Sequence, residues 1–169
     1  MRTALDRLYD AAAWIAAAFL IGTLLSVLAG IADRYLNLNW RGTDMYAGYC
    51  MAAAGFLALA HTLKRGEHIR VTLILQALEP RMRHVMEIVA LAIASVLAVA
   101  FAYFSIELVL QSYGYHDIST GNDATPLWIP QIAMAVGTSV LAIAFIDELV
   151  LELRGRRIAV VSDEMLHNE

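Results

Sequence analysis

Residues 88–106 read IVALAIASVLAVAFAYFSI and contain no Asp, Glu, Lys or Arg. A helix of this length rises about 28 Å, close to the ~30 Å hydrocarbon core of a bilayer. Residues 11–32, 45–63 and 124–146 are uncharged in the same way, and 60% of the 169 residues are hydrophobic. The sequence therefore predicts a single all-α integral membrane domain. We expect four transmembrane helices at about residues 11–32, 45–63, 86–110 and 126–147.

The basic residues between these stretches fall almost wholly on one side of the predicted membrane. With four crossings, the two termini and the second loop share a side and hold ten of the twelve Lys and Arg residues. The opposite side holds only Arg34 and Arg41. By the positive-inside rule, this asymmetry places both termini in the cytoplasm, the N-in/C-in topology. We therefore expect a multi-pass protein of the bacterial cytoplasmic (inner) membrane.

Small residues recur every four positions in the first span, at Ala18, Gly22, Ser26 and Gly30. Such a stripe lets another helix approach closely, which is how apolar helices associate in lipid. It predicts a packing or partner interface, with the partner helix either internal or from another protein. At other helix ends, Thr43 and Asp44 suit an N-cap, Gly66 suits a helix terminator, and Pro126 and Pro130 suit the opening turn of the fourth span.

Residues 69–79 are too short and too polar to cross a bilayer, yet their apolar residues fall on one helical face. This pattern predicts a short amphipathic helix lying on the cytoplasmic surface between spans two and three. Basic residues surround it and are expected to contact anionic lipid at the interface. This cluster comprises Lys64, Arg65, Arg70, Arg81 and Arg83.

The uncharged stretches lack the ionisable groups that mid-membrane transport sites generally need, and Glu87 and Glu107 bracket the third stretch at its ends. Cys50 is the single cysteine and is expected to be a small buried side chain. Among the histidines, only His61 and His84 are placed to meet near one membrane face, as a haem site would need. No metal-protease motif, catalytic triad or phosphate loop is found. These features predict a non-enzyme without a cofactor.

Residues 55–72, GFLALAHTLKRGEHIRVT, resemble the signature of the DctQ-type small membrane subunit of TRAP (tripartite ATP-independent periplasmic) transporters. In that family a small-residue-rich second span runs into a basic residue, a glycine and a His-Ile-x-Val run. Here Gly66, His68 and Ile69 form this signature turn. Family members commonly carry a Trp followed by paired acids before the second span. In this sequence Trp40 is followed by Arg41, Gly42 and Thr43, so only Asp44 can take the place of those acids.

The resemblance implies a scaffold subunit that packs against a large DctM-type permease, while a DctP-type periplasmic binding protein delivers the substrate. It implies secondary-active import of organic anions such as carboxylates or sulfonates, with sodium coupling in the permease, and no nucleic-acid partner. The loops opposite the termini are expected to contact the binding protein. The candidate contact residues are Trp40, Asp44, Ser119, Asn122 and Asp123.

Two other classes of protein remain compatible with the residue pattern alone. One is a haem-bearing or quinone-related membrane anchor of a respiratory enzyme, which would use histidines such as His61 and His84. The other is a stand-alone small exporter, which would depend on an acid such as Glu87 or Glu107.

Overall fold

The computed structural model describes residues 2–65 and 80–154, which form four long helices. They are α1 (Arg2–Leu36), α2 (Thr43–Lys64), α3 (Pro80–Gly114) and α4 (Trp128–Leu153). Each helix is long and apolar enough to cross a membrane. Within the described ranges there is no strand, only an isolated bridge between Ile118 and Pro126. The chain is an all-helical, multi-pass membrane protein.

The four helices form an open row in the order α1, α2, α4, α3. α1 packs on α2, α2 packs on α4 and α4 packs on α3, while α1 touches α4 only slightly. Sequence neighbours thus make two antiparallel hairpins, α1–α2 and α3–α4, joined through α2 and α4. We call the end with residues 37–42 and 115–127 the loop end, and the end with Arg2 and Arg154 the terminal end.

The seam of α1 against the rest of the protein follows a heptad spacing. Tyr9, Ala12 and Ala16 are buried, and the same alternation of four and three residues leads on to partly buried Ser26 and buried Gly30. This spacing keeps one face towards a neighbouring helix. A strict four-residue stripe instead rotates by about 40° per step, because each residue turns about 100°. Ala18 is accordingly exposed within this chain, and its place in an interface with another protein stays a prediction.

Small residues also bring α3 and α4 together along a heptad pattern. Leu91, Ser95, Ala98, Ala102 and Ser105 are all buried at alternating steps of four and three residues. Ala98 and Ala102 form an apolar cluster with Ala142 of α4. The Ser95 hydroxyl donates to its own helix, to the carbonyl of Leu91 at 2.7 Å, so its polarity is satisfied locally. The small side chains of this seam let the two helices approach closely, while the buried Ser105 hydroxyl has no hydrogen-bond partner among the described residues.

The two hairpins meet where α2 crosses α4 at a glycine. A Cβ added to Gly137 would lie 2.5 Å from the backbone carbonyl oxygen of Phe56. Beside this crossing, Tyr9 of α1 joins Ala60 of α2 and Ala144 of α4 in one buried cluster. Backbone contact at Gly137 therefore sets the spacing between the hairpins.

Two predicted helix starts are corrected. The N-cap of α2 is Gly42, with φ of 85° and no side-chain cap hydrogen bond, so Thr43 and Asp44 occupy the first turn instead. Pro126 lies before α4 and pairs with Ile118, whereas Pro130 does lie in the first turn. Gly66, His68, Ile69, Arg70 and the predicted surface helix at 69–79 lie outside the described residues.

Candidate functional site at the loop end

The loop between α1 and α2 is tightly turned and anchored by one aspartate. Asn37 and Asn39 have left-handed φ values of 52° and 57°, a region that Asn tolerates better than most residues. The backbone amide of Trp40 donates to Asp33 Oδ1 at 2.8 Å. This anchor holds the Trp40 segment over the end of α1 while the Trp40 side chain remains about half exposed.

Asp123 in the α3–α4 loop joins this loop to the start of α2. Its Cβ would lie 2.6 Å from a Cβ added to Gly42, so only a glycine allows the approach. The Tyr49 hydroxyl donates to Asp123 Oδ2 at 3.1 Å. Hydrogen bonds from Thr125 first, then Ser119 and Tyr49, lower the pKa of Asp123 to about 2. The carboxylate is therefore the charged centre of a contact between the two hairpins.

The α3–α4 loop is shaped by its own backbone. The Ser119 amide donates to the Thr125 carbonyl at 2.8 Å, beside the Ile118–Pro126 bridge. The Ser119 hydroxyl accepts from the Gly121 amide at 3.1 Å. These bonds close the loop on itself and present Asp123 towards α2.

A cleft of about 230 Å³ opens between the two loops. Three of the five predicted contact residues, Trp40, Asp44 and Asn122, line it, while Ser119 and Asp123 lie in the adjoining loop. Arg34 and Arg41 also line it, and an Arg34 nitrogen lies 3.7 Å from Asp44 Oδ2. We call this surface the loop-end cleft. Its full lining is Gly30, Asp33, Arg34, Asn39, Trp40, Arg41, Gly42, Thr43, Asp44, Met45 and Asn122.

The small-residue stripe of α1 meets α2 only in part. A Cβ added to Gly22 would lie 3.3 Å from Cys50 Sγ, and one added to Gly30 would lie 3.1 Å from Thr43 Oγ1. Both glycines therefore face α2 within this chain. Ser26 is partly buried, while Ala18 faces outward. Cys50 lies at the α1–α2 contact as a free, partly buried thiol.

Four members of the predicted basic cluster, Lys64, Arg65, Arg81 and Arg83, are described at the terminal end. Lys64 pairs with Asp6 and lies 5.2 Å from the centre of the Tyr9 ring, so it links α2 to α1. Arg83 pairs with Glu87 on the same helix at 3.2 Å. Arg65 and Arg81 are exposed. Lys64 thus joins α2 to α1, and contact of the arginines with lipid headgroups stays a prediction.

The two histidines that a haem site would need contact carboxylates on separate hairpins. His61 Nδ1 lies 3.5 Å from Asp10 Oδ1 on α1, and His84 Nδ1 lies 2.8 Å from Glu152 Oε1 on α4. Glu152 is almost fully buried. Within residues 2–65 and 80–154, no group of three His, Cys, Asp or Glu side chains could hold a metal ion.

Sequence reasoning missed the structural roles of Tyr9, Asp123 and Glu152. The heptad spacing through Tyr9 was a readable signal, because the alternation of four and three residues continues from Leu5 to Gly30. Glu152 lies within α4, beyond the predicted end of the fourth span at about residue 147. The Tyr49–Asp123 contact joins residues far apart in sequence and had no local signature.

Comparison with known families gives one match. Residues 23–155, most of the chain, match the model of the family described as "Tripartite ATP-independent periplasmic transporters, DctQ component". No curated protein matched the chain. The matched region takes in the C-terminal part of α1 from residue 23, all of α2, α3 and α4, and both loops of the loop-end cleft. The chain therefore belongs to the DctQ family, the small membrane component of TRAP transporters, which is a family of transporter subunits and not of enzymes.

Proposed function

We propose that this chain is the scaffold subunit of a TRAP transporter in the bacterial inner membrane, with both termini in the cytoplasm. It packs against a large DctM-type permease that carries the substrate and sodium sites. A DctP-type periplasmic protein delivers an organic anion, such as a carboxylate or sulfonate. The family match and the charge asymmetry support this assignment.

The open row of helices is the observation that carries the scaffold role. In the most hydrophobic part of α1 only 6% of residues are buried within the chain, against 39% in α4. α3 is similarly open, at 22%. A subunit that buries so little of its edge helices offers wide apolar faces to lipid and to another membrane protein. That is what a scaffold for a larger permease requires.

The loop-end cleft supports a second element of the proposal, contact with the binding protein. Trp40 and Arg41 are exposed beside it, and the two arginines of this side both line it. Exposed aromatic and arginine side chains are typical anchors of protein interfaces. In the N-in/C-in topology, this surface faces the periplasm, where the binding protein is found.

Purification of the tagged chain from its native membranes in mild detergent tests the assignment. We expect a multi-span TRAP permease to co-purify in a fixed ratio and to be identified by mass spectrometry. A chain that purifies alone, or with redox subunits, would contradict the proposal. Cysteine accessibility from the two sides of the membrane tests the topology, with Arg41→Cys expected to react only from the periplasm.

The cleft is tested separately by charge reversal. Arg41→Glu should lower the transport rate at limiting binding protein by about tenfold, because electrostatic complementarity sets association rates. It should leave the co-purified permease unchanged. Arg81→Glu, an exposed arginine at the terminal end, is the matched control. Loss of permease in Arg41→Glu, or an equal loss of transport in both variants, would contradict docking at the cleft.

A further inference from the structure

A carboxylate lies on the face of α3 that points away from the rest of the chain. Ser105 is buried, and Glu107 follows it by two residues, a turn of about 200° around the helix. The Gln111 amide donates to Glu107 Oε1 at 3.0 Å. Phe104 and Leu110, on the same side, are both about two-thirds exposed. Glu107 and Gln111 thus form a polar pair within an otherwise apolar outward surface.

Two contacts fix how α3 lies against α4 along the membrane normal. At the loop end the Tyr113 and Trp128 rings meet edge to face, with centroids 5.6 Å apart. At the terminal end His84 contacts Glu152. The uncharged residues 128–146 of α4 therefore lie beside α3 from Tyr113 to about residue 91. The uncharged stretch of α3 itself, 88–106, is shifted towards the terminal end.

The uncharged residues of α4 mark the depth of the apolar layer of the membrane, and the position of α2 supports the same depth. α2 and α4 both run from the loop end to the terminal end, and Phe56 lies against Gly137. The uncharged stretch 45–63 of α2 therefore lies beside about residues 126–144 of α4. The uncharged stretches of α2 and α4 thus span the same apolar layer. At the loop end, the limit of this layer lies beside α3 near Tyr113. Glu107 lies six residues, about 9 Å, inside that limit.

No Lys, Arg or His in the described ranges forms an ion pair with Glu107. The two arginines predicted on this side of the membrane lie in or next to the α1–α2 loop, at the other edge of the row. An ionisable group within the apolar layer is costly unless it is paired or hydrogen-bonded. The Gln111 amide gives the Glu107 carboxylate one hydrogen bond, which compensates only part of this cost.

We infer that the outward face of α3 around Glu107 and Gln111 is the surface that the large permease covers, with a Lys or Arg of a permease helix pairing with Glu107. The inference rests on the proposed function for its partner. Lipid tails offer no hydrogen-bond donor to this carboxylate. A second copy of this chain on the same face would bring two Glu107 side chains together across a two-fold axis. A permease helix that carries a Lys or Arg pairs with the Glu107 carboxylate and also covers the apolar surface around it.

Site-specific photo-crosslinking in native membranes tests this face. The probe is p-benzoylphenylalanine at Phe104 on α3, with Leu24 on α1 as the matched control, since both are more than half exposed. We expect the Phe104 probe to capture a chain that mass spectrometry identifies as the permease, at several times the yield of Leu24. Capture from Leu24 alone, or capture of a second copy at Phe104, would overturn the inference.

Charge variants give an independent test in the intact complex. Glu107→Gln should lower the permease recovered per small subunit by at least about tenfold, and Glu107→Lys should lower it further. Glu87→Gln, at the terminal end of the same helix, is the control and should retain full recovery. Helical content and elution volume of each free subunit should stay unchanged. Full recovery in Glu107→Lys would overturn the inference, whereas absence of the permease from unaltered subunit would instead overturn the proposed function.

Discussion

Polar contacts at the two ends of the helical row join different elements. At the terminal end each contact closes one hairpin, since Asp6–Lys64 and Asp10–His61 join α1 to α2, and His84–Glu152 joins α3 to α4. At the loop end, Tyr49–Asp123 crosses from one hairpin to the other. The polar contact between the hairpins thus lies at the loop end, while apolar packing joins them at the Phe56–Gly137 crossing and in the cluster of Tyr9, Ala60 and Ala144.

The chemistry of the two ends differs accordingly. The terminal end uses the Lys64–Asp6 ion pair and the His61–Asp10 contact between partly exposed groups, and an ion pair of this kind contributes modestly and weakens with salt. The loop end uses one carboxylate, neutral hydroxyl donors and a glycine that permits backbone contact. A surface that docks a partner needs a fixed shape, and close packing at the loop end provides one for the cleft.

The largest effect is expected at Gly42. In Gly42→Ala the new Cβ would meet Asp123 at 2.6 Å, and φ of 85° is itself strained for alanine. We expect a loss of about 2 kcal/mol or more in the free energy of unfolding, since both terms add. Thermal unfolding in detergent should show a clear drop in Tm. The transport rate should fall as well, because the cleft loses its shape.

Gly48→Ala is the matched control for this variant. Gly48 lies inside α2 with nothing within 4 Å of an added Cβ, so alanine should leave stability unchanged or raise it slightly. Equal destabilisation of the two variants would mean that close approach at the loop end does not fix the hairpins.

A smaller effect is expected at the terminal end from His84→Ala. Glu152 is buried and loses a contact of 2.8 Å, while His84 itself is half exposed. We expect a loss of about 1–2 kcal/mol, because a hydrogen bond to a charged group is removed at a partly solvated site. Chemical unfolding monitored by circular dichroism measures it. Since this contact lies within one hairpin, transport should change less than in Gly42→Ala.

His84→Gln is the companion variant, because its amide can still donate to Glu152. It should recover part of the stability that His84→Ala loses. A loss larger than that of Gly42→Ala, or a stronger effect on transport, would reverse the assignment of roles to the two ends.

Four helices were predictable from uncharged stretches alone, because only length and apolarity are needed to cross a bilayer. The sequence predicts a four-residue repeat of small residues on α1, whereas the buried contacts of α1 within the chain follow the heptad spacing that runs through Tyr9 and Ala16.

The loop-end residues show which contacts a local sequence pattern does not reveal. Trp40, Asp44 and Asn122 were chosen by loop composition and do line one cleft. The role of Asp123 as a contact to Tyr49 depends on two residues 74 apart in sequence, so no local pattern could reveal it. The depth of Glu107 in the apolar layer likewise follows only from the register of α3 against α4. Side-chain contacts set that register, and hydropathy does not predict it.

The smallest expected effect, and the most specific to the loop end, is the pH dependence of Asp123. Its pKa is about 2 in the folded chain, below the ordinary value of 3.8, so its contribution to stability is present above about pH 4 and is lost as the pH falls towards 2. The Tm difference between unaltered chain and Asp123→Asn should therefore be constant from pH 7 to 5 and shrink below pH 4. Asp117→Asn, an exposed residue of the same loop, controls for loss of one carboxylate. If the Asp123→Asn difference stayed constant down to pH 2, the carboxylate charge would not be what joins the hairpins, and the glycine contact alone would carry that role.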